Sequence, residues 1–200
     1  MNESSRVGAV LALVSPGRWG DDDAQLVAAL GRGSLLALAR AYDRWHQRVR
    51  VLARRLLSDD AAAEDVVQEV FTALPRAAAR FRGDAVLETF LLAIAVKRAR
   101  RHQRAALRRR RALVRLAEQK RLGPRDPERL VYERQLGLRM AAALDELPLA
   151  QRVAFVLCVV EGMTSLQAAT IAGVPEATVR TRVHHARRRL RAFLAEEWSE

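Results

Sequence analysis

The stretch ELPLAQRVAFVLCVVEGMTSLQAATIAGVPEATVRTRVHHARRRLRAF, residues 146–193, decides how this chain is read. It divides into an apolar helical run, a short second helix, a tight turn and a third, strongly basic helix. That order is the layout of a helix-turn-helix, which lays its last helix in a DNA groove. At ~100° per residue, Val179, Val183, Ala186 and Leu190 fall on one side of the third helix, suited to packing. Ala177, Arg180, Thr181, His184 and Arg188 fall on the opposite side. Small, hydrogen-bonding and cationic side chains are the kinds that read base edges and hold phosphates. The turn chemistry agrees. Thr164 or Ser165 offers an oxygen to the open N–H groups of the middle helix. Gly173 suits the left-handed residue that ends it, and Val174 plugs the gap between helices. Pro175 fits the first turn of the next helix, and Glu176 sits at the positive end of its dipole. The competing reading is an ordinary helical hairpin with a solvated basic face. The capped turn and one-sided basic face favour DNA binding.

Working outward, 200 residues of which 50% are hydrophobic suit one large or two small domains and exclude global disorder. The formal net charge of +12 points to a polyanionic partner, nucleic acid or an anionic membrane. Lys97 and Lys120 are the only lysines, so the excess is carried by arginine, which suits bidentate phosphate and guanine contacts. The single cysteine, Cys158, lies in the apolar run VAFVLCVV, reads as a small buried hydrophobe and fits a reducing compartment. No apolar stretch reaches the ~18 residues of a membrane span. VGAVLALV after Arg6 is too short for a secretion signal, so a cytoplasmic location is expected. No phosphate loop, HExxH, paired-cysteine spacing or GxSxG elbow occurs. His184 and His185 point ~100° apart on a helix and make no metal pair. The expectation is therefore a binding protein with no enzymatic activity, no metal and no cofactor.

Strand signals are nearly absent, and the chain reads as all-α. Residues 1–20 look like a loose N-terminal extension. Helical spacing then runs from Asp21 to about Leu57, interrupted at Gly31–Gly33, and Ser58–Asp60 reads as a turn and cap. Over 62–74, Val66, Val67, Val70, Phe71 and Leu74 make an apolar stripe that leaves Glu64, Asp65, Gln68 and Glu69 on the polar side. Pro75 reads as a kink or helix end, followed by a loop at Phe81–Asp84. A helix at about 85–104 buries Leu87, Phe90, Leu91 and Ile94 and ends in a basic run that continues to residue 111. That run continues an amphipathic helix and so reads as a phosphate-facing surface. LGPRDPE at 122–128 marks the domain boundary.

Two blocks taken together, residues 63–100 beginning AEDVVQEVF and residues 144–190 containing the helix-turn-helix, resemble regions two and four of an extracytoplasmic-function (ECF) sigma factor, a promoter-specificity subunit of bacterial RNA polymerase. The resemblance spans roughly residues 21–195. It implies two small helical domains joined by a flexible basic linker. These are a region-two bundle at 21–106, the linker at 107–129 and a region-four domain at 130–200. It also implies that Asp65, Gln68 and Glu69 dock on the clamp helices of the polymerase largest subunit. The loop Phe81–Ala85 would capture an unstacked base of the −10 element, with Arg82, Lys97, Arg98, Arg100 and Arg101 following the strand. The recognition helix would bind the −35 element through Thr178, Arg180, Thr181, His184, Arg187 and Arg188, with Arg152 on a phosphate. Promoter DNA, core polymerase and an anti-sigma factor are the implied partners. The chain departs from the family pattern at Pro75 and Phe90, each in place of a usual Trp. Leu92-Ala93, Val96-Lys97 and Gln167 depart as well. These changes spare the apolar faces and bear on promoter melting. The other readings are a stand-alone helix-turn-helix regulator and a degenerate sigma-like protein that binds a partner without melting DNA.

Overall fold

The computed structural model describes residues 21–81, 85–116 and 142–197, and among these there is no strand. The N-terminal unit is a bundle of α1 (Asp21–Gly31), α2 (Leu35–Leu57), α3 (Asp60–Ala78) and α4 (Leu87–Leu116). The C-terminal unit holds α5 (Leu149–Phe155), a π-helical turn (Val156–Val160), α6 (Ser165–Ala172) and α7 (Glu176–Glu197).

α2 buries Ala37, Ala41, Trp45, Val49, Leu52 and Leu56, one stripe at helical spacing. Ser34 caps its start by accepting the Ala37 N–H at 3.3 Å. It ends on Ser58, a non-glycine residue at φ 51°, a conformation that costs ~1–2 kcal/mol. Two hydrogen bonds hold it: the Ser58 N–H donates to Arg54 O at 2.9 Å and its hydroxyl to Asp145 Oδ1 at 2.6 Å. Asp59 follows at once as the cap of α3, accepting the Ala62 N–H at 3.0 Å. The turn and cap expected at Ser58–Asp60 are there.

α3 packs Val66, Val67, Val70 and Leu74 between α2 and α4. It runs through Pro75 to Ala78, so the helix does not end at that proline. Pro75 removes only one N–H, from the last turn, and its own carbonyl still accepts the Ala79 N–H at 3.1 Å. α1 closes over the end of α3, so tightly that a Cβ on Gly31 would lie 3.2 Å from Ala79 Cα. α4 buries Leu87, Leu91, Leu92, Val96 and Ala99. It continues to Leu116, past both the expected helix end at 104 and the expected boundary at 106. Its last turns are Ala, Leu and Arg apart from Val114, and those three are strong helix formers. The N-terminal extension, Arg82, the linker from 117 onward and the boundary at 130 lie outside the described residues.

In the C-terminal unit Val153, Phe155, Leu157, Ala168, Ile171, Val179, Ala186 and Leu190 make the core. Thr164 and Gln167 cap α6 reciprocally: the Gln167 N–H donates to Thr164 Oγ1 at 3.2 Å and the Thr164 N–H to Gln167 Oε1 at 2.9 Å. Gly173, at φ 65°, ends α6, and the Val174 N–H reaches back to Ala169 O at 3.1 Å. The two units are not simply strung on a linker. α6 lies along α4, and the buried apolar residues of both units form one connected cluster.

Candidate nucleic-acid interface

α7 presents the division of faces read from its sequence. Val179, Ala186 and Leu190 are buried and Val183 packs against the core. Ala177, Arg180, Thr181, His184, Arg187 and Arg188 are exposed, and Thr178 is half-buried at the flank. Local bonds organise this face without consuming it. Thr181 donates its hydroxyl to Ala177 O at 3.0 Å, and Arg180 makes an exposed in-helix pair with Glu176 at 3.2 Å. Such a pair contributes only ~0.3–0.5 kcal/mol, so a base edge or phosphate displaces it readily.

The second surface joins α3 to α4. Asp65 and Gln68 are exposed on α3; Lys97 and Arg101 are exposed on α4. Between them lies an open cleft of about 440 Å³ lined by Asp65, Gln68, Glu69, Arg98 and Arg101 among others. Glu69 is tied across it, to Arg98 at 3.1 Å and to His102 Nε2 at 3.0 Å. The acidic and basic sets that the resemblance implies for two different partners are therefore neighbours, and Glu69 and Arg98 occupy each other. Arg100 points elsewhere, donating to Ala172 O at the end of α6 at 2.7 Å. Burial, then the nearby Arg182 and Arg104 charges, push its pKa below the usual guanidinium value.

Arg152 departs most from expectation. Expected on a DNA phosphate, it is 3% exposed and donates to Leu56 O at 3.0 Å, with Asp145 Oδ1 at 2.7 Å. A guanidinium walled in by α2 is not presented to a phosphate in this arrangement, and its role here is to join the two units. Glu161 went unread in the sequence altogether. It ends the π-helical turn, donating its N–H to Val156 O at 2.9 Å, and its carboxylate is taken by Arg48 and Arg55 of α2. No local pattern around EGMT marks it. Cys158 is half-buried against the core; burial raises its thiol pKa and the Arg187 charge opposes that shift. Among the described residues no group of three His, Cys, Asp or Glu side chains could hold a metal ion, and no helix is long and apolar enough to cross a membrane.

Residues 41–111 match Sigma-70 region 2 and residues 137–190 match Sigma-70, region 4. The RNA polymerase sigma-H factor of Pseudomonas aeruginosa is 30% identical over 175 residues, covering 84% of this chain and 91% of that protein. The ECF RNA polymerase sigma factor SigM of Mycobacterium tuberculosis is 30% identical over 192 residues, covering 94% and 92%. This chain belongs to the ECF sigma factors. SigE of Mycolicibacterium smegmatis, at 33% identity over 156 residues, is matched over 60% of its own length. The solved structure of CnrH in complex with the cytosolic domain of CnrY superposes on this sigma factor with a TM-score of 0.63 at 25% identity, covering 88% of this chain and 99% of that one. The sigma factor RpoE of Bartonella quintana, solved with the anti-sigma factor NepR, shares the fold with a TM-score of 0.58 at 24% identity. As a sigma factor, this protein is a promoter-directing transcription initiation factor, of a family that is not enzymatic.

Proposed function

We propose that this sigma factor docks on core RNA polymerase through α3 and holds promoter DNA at two places, with α7 in the upstream duplex element and α4 along the melted downstream strand. The observation that carries the reading is the exposed cationic face of α7 over an apolar back packed into the core. Arg180, Thr181 and His184 are the base-reading side chains, flanked by Thr178, while Arg187 and Arg188 grip phosphates. Asp65 and Gln68 lead the polymerase contact, because acidic and neutral groups on a chain of +12 suit a basic protein surface better than DNA. Glu69 takes part once its bonds to Arg98 and His102 exchange. Lys97 and Arg101 are open to a strand backbone; Arg82, Arg98 and Arg100 complete that set.

The functional units are residues 21–106 and 130–200, joined by the chain between, and α4 runs past the first of them to Leu116. An anti-sigma protein is a further partner, supported by the solved complexes of CnrH with CnrY and of RpoE with NepR. The protein acts in the cytoplasm, contributes binding rather than chemistry, and needs no metal or cofactor. Promoter-dependent transcription with reconstituted bacterial core polymerase tests the reading. Core binding with initiation is expected. DNA binding without core binding would favour a stand-alone regulator, and core binding without initiation a degenerate sigma protein.

A further inference from the structure

We propose that the two DNA grips are latched shut on each other by the buried carboxylate of Glu161, and that the closed form withdraws Arg100 from the strand-binding set of α4 while leaving Lys97, Arg101 and the duplex-reading face of α7 open. The inference rests on the strand-binding role assigned to α4 above. The side chain of Glu161 is 3% exposed, and its two oxygens are divided between Arg55 and Arg48, more than a hundred residues earlier in the chain. A carboxylate out of water is tolerated only when paired in this way. Opening the units returns it to solvent, so closure depends on the two arginines being there. Arg48 is held for the task by a second carboxylate, Glu88, at 3.0 Å.

Two further contacts turn the latch into an occlusion. Arg152 donates to the last carbonyl turn of α2, at Leu56, from the base of the helix-turn-helix. Arg100, in the strand-binding set, donates instead to Ala172 O, so the end of α6 occupies the one cation of that set that lies against the C-terminal unit. The closure is one-sided. Every base-reading candidate on α7 apart from half-buried Thr178 remains exposed in it. Glu161 is the residue that ends the π-helical turn, its N–H donating to Val156 O. When only a fraction of molecules is open, apparent strand affinity falls by that fraction.

The test uses the full chain. Small-angle scattering in the absence of DNA reads the radius of gyration of the wild type, of Glu161→Lys, and of a charge-swapped variant combining Glu161→Arg with Arg48→Glu, Arg55→Glu and, to keep the second pair of position 48, Glu88→Arg. Circular dichroism confirms that each variant is helical. Binding of a fluorescein-labelled single strand of mixed sequence and of a labelled duplex is then measured by anisotropy. Glu161→Lys should expand the particle and tighten single-strand binding on the order of tenfold, with duplex binding little changed. The charge swap should bring both readings back toward wild type. An unchanged radius in Glu161→Lys overturns the latch. Expansion without tighter strand binding overturns the occlusion. Because the radius is read without nucleic acid, a chain that opens on schedule but binds neither probe in any variant refutes the proposed DNA role and leaves the latch standing.

Discussion

Truncating Arg152 to alanine removes a guanidinium that reaches Leu56 O at 3.0 Å, Ser58 Oγ at 3.4 Å and Asp145 Oδ1 at 2.7 Å. The Asp145 side chain is 47% exposed and returns to water when its partner goes, so that pair counts for less than ~1 kcal/mol. Leu56 is fully buried, and a hydrogen bond from a charged donor to a buried carbonyl counts for roughly 1.5–3 kcal/mol, much of it the cost of leaving the acceptor unpaired. The expected destabilisation is therefore about 2–4 kcal/mol. For a chain of this size that lowers the melting temperature by roughly 4–16 °C, read by circular dichroism at 222 nm. The same variant should leave the slope of log K against log salt unchanged for duplex binding. A phosphate contact behaves in the opposite way, since losing it reduces that slope by about one and leaves melting alone. A reduced slope at unchanged melting temperature would refute the structural role given to Arg152.

Asp65→Lys should weaken association with core polymerase about tenfold, mostly through the association rate, and spare duplex binding; equal loss of both would dissolve the division between α3 and α7. Glu69→Lys is a harsher change, because it sets a second cation beside Arg98 and removes the carboxylate that holds His102, and it should also lower the melting temperature. Arg180→Ala should relax sequence preference at one base position by ~1–3 kcal/mol, and an unchanged preference in a binding-site selection would remove Arg180 from the readout. Thr164→Ala breaks the reciprocal cap of α6, a helix of 8 residues, and should cost about 1 kcal/mol of stability; Ser165→Ala, which leaves that cap intact, should cost little in the same denaturation series.

The helices, their caps and the reading face of α7 were legible in the sequence because each depends on residues within a turn or two. Val179, Val183, Ala186 and Leu190 are inward because their spacing is helical; Thr164 and Gly173 bound α6 through their own backbone chemistry. The paired region-two and region-four blocks likewise identified the family before any coordinate was known. Pro75 misled for a local reason, since a proline in a last turn removes a bond that fraying already weakens. Arg152, Glu161, Arg100 and Glu69 belong to another class. In a chain with 35 basic and 23 acidic residues, composition does not say which arginine meets which acid or carbonyl. Those partners are set by how α2 and α4 pack against the helix-turn-helix, across as many as 113 residues. What the sequence determined by itself was the family and the side of α7 that stays exposed. Tertiary packing alone decided which cations stay exposed, because burial beside a carboxylate or a helix-end carbonyl satisfies a guanidinium that periodicity had left open.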